Sequence, residues 1–524
     1  MPEAFESCLL SFHSVGFLME YYDQEWYDLL NGAPIVKEDN STPGAHLIMP
    51  HGFQVIAEYL KEDSIDLNQI KLEAQYIEQQ VMYFANFISN VAIDEQSVIN
   101  ALSIQLIRME TLTITDFSNL GEPLSKKVFN AQVQNIHEYL NHCIDDSLAA
   151  ALPILLEQYD DKIDLINFLQ PYKRIIIPLT SPFKGVSPVD HEAVNLYDPN
   201  FLEASYYSNY GIHTENQVQK IELGRKLFND PLLSHNNSFS CATCHQKEKA
   251  FTDGLELSVS GIAGIHLKRN TPTLIHSAYQ SKYMYDGRAG SLEEQMLHVF
   301  NNPKEFKSDV SAIVDRLNKD SAYSDLFASN YADMLPNSIN LHSITDALAT
   351  YVRSLTAHQT TFDKYMRGET QTISLSALNG FNVFMGKAKC GTCHFAPTFS
   401  GLMPPFYQSS ELENIGVPEL DTNGNWKVAS DFGRYDFYPN KSFEFFFKTP
   451  TLRNIALTAP YMHNGVFRDL EEVMEFYNNG GGVGHHLNYT NQSLPSDSLG
   501  LSEVEIKDII EFMKALTDSS YVSY

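Results

Sequence analysis

The segment Cys241–His245 reads CATCH, and the same unit returns 149 residues later as CGTCH, Cys390–His394. A Cys-x-x-Cys pair followed at once by His has three chemical readings. A zinc site needs a second ligand pair close by, and a redox dithiol sits after a strand and has no use for the histidine. In the third reading two thioether bonds fix a porphyrin edge while the adjacent His turns back to ligate iron. The histidine selects this last chemistry. Chance would place one such unit in on the order of a few chains per thousand, so two together are a strong signal. Two covalently bound heme c groups are therefore expected, one on Cys241, Cys244 and His245, the other on Cys390, Cys393 and His394.

The sequence after each unit is also repeated. "NTPTLIHSAYQSKYMYDGRAGSLEEQMLHVFNN" from Asn270 aligns without gaps on "KTPTLRNIALTAPYMHNGVFRDLEEVMEFYNNG" from Lys448, at a constant offset of 178. The second copy carries about 29 extra residues between its heme unit and its helix, read as a loop insertion and not a further domain. Function is sought where the copies differ. Val299 stands where the second copy has Tyr477, Gln295 where it has Val473, and Glu305 where it has Val483. If these helices cover the far face of each heme, the first iron faces a side chain that cannot ligate, with an amide and a carboxyl nearby. The second iron faces a phenol. One heme is then open and equipped for proton transfer, and the other is closed and suited to storing charge. The competing reading leaves Tyr477 as core packing and Glu305, beside Lys304, as solvated surface.

The rest of the chain bounds the answer. At 524 residues and 43% apolar content it holds several cores. Its net charge of −29 repels phosphate backbones and anionic lipid, so nucleic acid is not an expected partner, whereas a small basic electron carrier would be attracted. Residues 1 to about 190 read as helical, with Leu67–Ile88 and Ser125–Ile144 carrying apolar residues at helical spacing. His51 and Glu58, seven apart, are assigned no metal chemistry. Pro178–Gly211, rich in Pro, Ser and Tyr, reads as a linker wrapping the domain after it. Cys8 and Cys143 are read as buried free thiols in preference to a disulfide. No leader and no long apolar span are visible. Covalent heme attachment takes place outside the bacterial cytoplasmic membrane, so an exported, periplasmic protein whose leader is missing from this numbering is expected.

Over Asn216–Thr517 the motifs "LGRKLFNDPLLS", "SCATCH", "AFTDG", "RNTPTL", "YDGRAGSLEEQ", "KCGTCH" and "FKTPTLRNIALTAPYMHNG" resemble those of the bacterial diheme cytochrome c peroxidases and their MauG relatives. The resemblance implies two c-type cytochrome domains in tandem; residues 1–190 lie outside it, and with the helical bundle read there from periodicity the fold expected is mainly α, an N-terminal helical bundle followed by the two cytochrome domains. The boundaries expected are a helical domain of unknown role over 1–190, a linker over 191–212, a first, peroxidatic domain over 213–370 and a second, electron-transfer domain over 371–524. It implies hydrogen peroxide as substrate and a small cytochrome c or copper protein as electron donor. A homodimer is compatible with it. It also implies a calcium ion between the hemes, on Asn270 and the carbonyls of Thr458 and Pro460, an oxygen-rich set that suits this ion. In this scheme Glu305 moves the peroxide proton, Gln295 orients the peroxide, and Tyr477 ligates the second iron, as in MauG, where many peroxidases have Met. Tyr285 replaces a Trp that relays electrons between the hemes. The place of a capping His before "RN" is held by Ile262, with His266 four residues on, which favours an open first iron. A MauG-like oxidase acting on a protein or small molecule, and a plain diheme electron-transfer module, are the alternatives.

Overall fold

Short polar side chains set the helix starts by taking up the first free amides. Ser502 accepts from the Glu505 amide while the Glu505 carboxylate reaches back to the Ser502 amide, and Glu503–Ala515 follows that box. The Asp66, Asp94 and Asp161 carboxylates accept from first-turn amides and so open Leu67–Ile88, Glu95–Thr111 and Lys162–Ile176. The computed structural model describes residues 2–38, 47–61, 66–118, 121, 124–143, 161–180, 189, 193, 195–208 and 216–521. The described chain is mainly helical, with three small two-stranded ribbons.

Two helix crossings of the same design flank the two heme units. Gln217–Asn229 packs on Leu341–Arg353, and Leu375–Met385 packs on Glu503–Ala515. Each crossing closes at a glycine. A Cβ on Gly224 would lie 2.0 Å from the Ala347 carbonyl oxygen, and one on Gly380 would lie 1.9 Å from that of Asp508, so no side chain is tolerated at either contact. Around the first crossing Leu227, Phe228, Phe251, Phe300 and Val352 form one buried cluster. Phe381, Phe384, Phe399, Phe476 and Phe512 form the other.

The N-terminal helices divide between two cores. Pro2–Tyr22, Gln24–Asn31, Phe53–Tyr59 and Leu67–Ile88 pack around Leu9, Phe12, Tyr27, Leu30 and Phe84. Glu95–Thr111 and Lys162–Ile176 instead send Leu106, Met109, Phe168 and Tyr172 into the cluster that surrounds the second heme unit. Polar contacts follow: the Lys162 amide donates to Asn382 Oδ1 at 3.0 Å. Leu67–Ile88 has the expected bounds, and the helix expected over Ser125–Ile144 runs Leu124–Cys143.

Several local expectations change. The described part of the linker does not wrap the first heme region: Tyr197, Phe201 and Tyr207 are buried in the second cluster, because an aromatic segment gains more from burial than from crossing a surface. Residues 181–188, 190–192, 194 and 209–211 of that linker lie outside the described residues. His51, assigned no metal chemistry from the sequence, pairs with Glu73 at 3.2 Å. Cys8 is a free thiol but exposed, and the side chain of Cys143 lies outside the described residues. The insertion in the second copy carries an antiparallel ribbon, Pro418–Leu420 with Trp426–Val428. Trp426 stacks edge-on against Phe467 and Phe476, so the ribbon braces the helix that bears Tyr477.

Candidate heme and peroxide site

Both histidines of the repeated units are aimed by a backbone carbonyl. After His245 the chain doubles back through a Gln246–Thr252 bridge, and Ala250 and Phe251 take positive φ angles of 52° and 59°. This turns the Phe251 carbonyl toward the imidazole, which donates from Nδ1 at 3.0 Å. In the second unit a Phe395–Ser400 bridge and Phe399 at φ 48° do the same, and His394 Nδ1 lies 3.2 Å from the Phe399 oxygen and 3.1 Å from that of Pro450. A carbonyl can only accept, so Nδ1 carries the proton and Nε2 is left as a lone-pair donor facing inward. Burial lowers the pKa of both rings, that of His394 to about 4, and so keeps them neutral. Arg453 fixes the second turn by donating to the Pro397 carbonyl while paired with Asp363 at 2.7 Å. A bulky residue held in the left-handed region, five or six positions after each His, does this aiming, and that backbone conformation is visible only in the folded chain.

The two units open into one continuous cavity of about 1150 Å³. That exceeds the ~300–1,000 Å³ of a site for one small ligand. Cys241, Cys244, Cys390 and Cys393 line it as free thiols, and burial pushes the first three up to about 12, so they are uncharged. Two cysteine pairs, two inward imidazole nitrogens and a mainly apolar wall fit two covalently held hemes. Lys448, also on the wall, is lowered to about 8 by burial, and its cationic form would suit a heme propionate.

Near the first unit, Gln295, Val299 and Glu305 line the cavity together. Burial raises the Glu305 carboxyl to about 7, against the lowering pull of the Asn302 amide, which donates at 2.7 Å, and of Arg288. The loop Ser260–Lys268 holds this carboxyl in place. Ser260 Oγ and the Gly261 amide both donate to the Lys304 carbonyl, at 2.6 and 2.8 Å, and a Cβ on Gly261 would lie 2.4 Å from the Glu305 carbonyl oxygen. His266 is exposed, bonded through Nδ1 to the Leu257 carbonyl, and neither it nor Ile262 lines the cavity.

Tyr285 lines the same cavity, its hydroxyl 3.5 Å from Asn270 Oδ1, with the ring of His463, its counterpart in the repeat, 6.5 Å away and stacked on Phe447. Asn270, Thr458 and Pro460 all line the cavity, and Asn270 Nδ2 is committed to the Leu255 carbonyl, which leaves Oδ1 on the open side. Tyr477 faces the cavity near the second unit, and burial first, then the Cys393 and Cys390 thiols, raise its phenol pKa. Glu413, which accepts from the Cys393 thiol at 3.7 Å and is raised to about 7 by burial and Glu411, was not singled out from the sequence.

The N-terminal region also reaches this site. Ile35, Gln54, Glu58 and Phe117 line the cavity. Thr115 lies 2.9 Å from where a Cβ on Gly391 would stand, and Phe117 packs edge-on against Phe395.

A helical chain with two Cys-x-x-Cys-His units opening on one cavity defines a two-heme c-type protein. Comparisons narrow the class. Residues 218–371 match the family described as di-haem cytochrome c peroxidase. Methylamine utilization protein MauG of Methylorubrum extorquens is 33% identical over 300 residues, 57% of this chain and 78% of that protein. Cytochrome-c peroxidase IdrP1 of a Pseudomonas species is 33% identical over 322 residues, 58% of this chain and 82% of that one. A solved MauG-like protein associated with microbial copper homeostasis superposes with a TM-score of 0.50 at 29% identity, covering 58% of this chain and 91% of its own. The chain belongs to the diheme cytochrome c peroxidase and MauG family. It is an oxidoreductase of the peroxidase type, and the family carries two heme c groups and acts on hydrogen peroxide. Among the described residues no helix is long and apolar enough to cross a membrane.

Proposed function

We propose that the protein reduces hydrogen peroxide to water at the cavity half lined by Glu305, drawing electrons from a small cytochrome c or copper protein in the periplasm. The proposal takes residues 213–370 and 371–524 as tandem cytochrome domains with distinct roles. The observation that carries it is Glu305: a carboxyl raised to about 7 by burial, sharing its wall with Gln295 and with Val299, which cannot ligate. Heme c, when bound, supplies an iron that binds peroxide and the store for its oxidising equivalents. The protein's own part is proton handling and orientation. Glu305 takes the proton from the near peroxide oxygen and delivers it to the far one, so that water leaves. Gln295 offers an amide that holds the far oxygen in place. The Phe251 carbonyl, by holding Nδ1–H of His245, fixes that ring and increases its basicity. Tyr477 would offer its phenol oxygen to the iron of the other heme, Tyr285 would relay electrons between the two, and Asn270 with the Thr458 and Pro460 carbonyls would hold a calcium ion.

Reduced cytochrome c should be oxidised in a two-to-one ratio to peroxide, and a protein that consumes peroxide without oxidising any small donor would refute the donor assignment. Two observations support a second reading as a MauG-like oxidase: Tyr477 at the second unit, and the packing of Thr115 and Phe117 on the Cys390–Phe395 segment, which shields that edge from a docking protein. Under that reading the N-terminal helices are a shielding module, and oxidising equivalents reach another substrate.

A further inference from the structure

Tyr279 belongs to the first repeat but packs in the second aromatic cluster, and it lines the heme cavity while only 6% exposed. Its hydroxyl lies 3.2 Å from Nε2 of His358, on the segment after the helix Leu341–Arg353, with the rings 5.7 Å apart at 74°. The His276 ring completes the cluster, 4.6 Å from Tyr279 and 5.0 Å from His358. No part of the peroxide chemistry above uses these residues.

A phenol gives up an electron at a moderate potential only if its proton has somewhere to go, because the oxidised phenol is a very strong acid. The proton acceptor is what separates Tyr279 from Tyr283, Tyr285 and Tyr461 on the same wall. Tyr283 donates to the Ser277 carbonyl at 3.3 Å, Tyr461 to that of Ile455 at 3.0 Å, and Tyr285 points at the Asn270 amide oxygen at 3.5 Å. None of those oxygens is a useful base. His358 Nε2 is one toward an oxidised phenol. Burial, then Arg453, lowers its imidazole to about 4, with Arg367 adding to their effect and Asp363 and Asp518 opposing it, so the ring rests neutral with its lone pair available yet stays far more basic than the oxidised phenol. The same burial keeps the Tyr279 phenol protonated, at about 12.

We propose that Tyr279, hydrogen-bonded to His358, is a redox-active tyrosine of this protein. Tyr279 passes one electron to the peroxide-oxidised heme pair and its phenolic proton to His358 Nε2, leaving a neutral tyrosyl radical beside an imidazolium. One electron from an external donor and the return of that proton restore the pair. The radical rests there because the next phenol outward lacks a base. Tyr207, within electrostatic reach of Tyr279, donates to the Tyr407 carbonyl, and the Tyr206 ring beyond it, 5.4 Å away, is 37% exposed. Exchange with solvent along that line is therefore slow, and Tyr279 holds an oxidising equivalent away from the irons.

The proposal rests on the peroxidase reading for its oxidant, and the test separates the two. Diheme protein is mixed with hydrogen peroxide, freeze-quenched, and examined by electron paramagnetic resonance, with the heme optical spectrum recorded in parallel. A second arm replaces peroxide with photo-oxidised ruthenium tris-bipyridine. A tyrosyl signal lost in Tyr279→Phe and kept in Tyr283→Phe is the expected result. His358→Gln keeps a hydrogen-bond partner but removes the base, and radical formation should slow on the order of 100-fold, the low end for a positioned proton acceptor; it serves alone if Tyr279→Phe does not take up heme. An unchanged signal in Tyr279→Phe, or an unchanged rate in His358→Gln, overturns the proposal, as do hemes that react with peroxide without any protein radical. Hemes inert to peroxide would sink the peroxidase reading, while the photochemical arm still decides Tyr279 by the same loss or persistence of its signal.

Discussion

The sharpest consequence of the site is a pH profile governed by Glu305. To take the peroxide proton this carboxyl must be ionised, and burial has raised it to about 7. The ionised fraction then climbs from ~10% at about pH 6 to ~90% at about pH 8, so kcat/KM for peroxide should rise about tenfold across that interval and level off above it. A group acting instead as a general acid from its protonated form would give the opposite slope. The Asn302 amide donates to Glu305 Oε1 at 2.7 Å and stabilises the ionised form. A hydrogen bond to a charged group is worth ~1.5 kcal/mol, so Asn302→Ala should move the midpoint upward by about one pH unit. Glu305→Gln should abolish the rise and lower kcat/KM by on the order of 100- to 10,000-fold, about 2.7–5.4 kcal/mol of transition-state stabilisation, with both hemes retained. The assay is initial peroxide consumption with saturating reduced cytochrome c between about pH 5.5 and 8.5, on proteins matched for heme content. A flat profile in the parent, or parent-like turnover in Glu305→Gln, would leave this residue with no part in the peroxide chemistry.

Other expectations follow from single contacts. Cys241→Ala and Cys390→Ala should each lose part of the covalent heme stain on a denaturing gel, and a parent matured in a competent host without covalent heme would contradict the assignment of both units. Tyr477→Phe should change the spectrum and raise the reduction potential of the second heme while peroxide binding at the first persists; an unmoved potential in a redox titration would make Tyr477 core packing. Gly261→Ala places a methyl group 2.4 Å from the Glu305 carbonyl oxygen and should cost on the order of 10- to 100-fold in peroxide turnover through misplacement of that loop, measured against an unchanged heme content. Gly380→Ala drives a Cβ to 1.9 Å from the Asp508 carbonyl and should lower stability by ~1–3 kcal/mol in a denaturant titration, because backbone at a helix crossing cannot yield as a side chain can.

What could be read without coordinates was whatever is written at short range or repeated. The two Cys-x-x-Cys-His units name their cofactor because the ligands are contiguous. The offset of 178 between the copies set Val299, Gln295 and Glu305 against Tyr477, Val473 and Val483, and the first three, Tyr477 and Val473 all line the cavity. Helices such as Leu67–Ile88 were legible because a 3.6-residue apolar period and an Asp cap are local properties.

Packing decided the rest. No spacing says that the Phe251 and Phe399 carbonyls will aim the two histidines, since that depends on a turn held in the left-handed region by the core around each phenylalanine. The hold of Gly261 on Glu305, some forty residues on, appears only when two loops meet. His266 was close in sequence to the right place, yet its side chain turns to the Leu257 carbonyl and stays outside. Tyr279 and His358 are far apart along the chain, and neither is marked by composition or motif. The N-terminal helices, read as standing apart, share a core with Phe381, Phe399 and Phe512, because an amphipathic helix specifies that it must bury a face but not which partner will cover it. Local chemistry is carried by neighbours in sequence, whereas the aim of a ligand, the pKa of an acid and the base beside a phenol arise from groups that only the folded chain brings within a few ångströms.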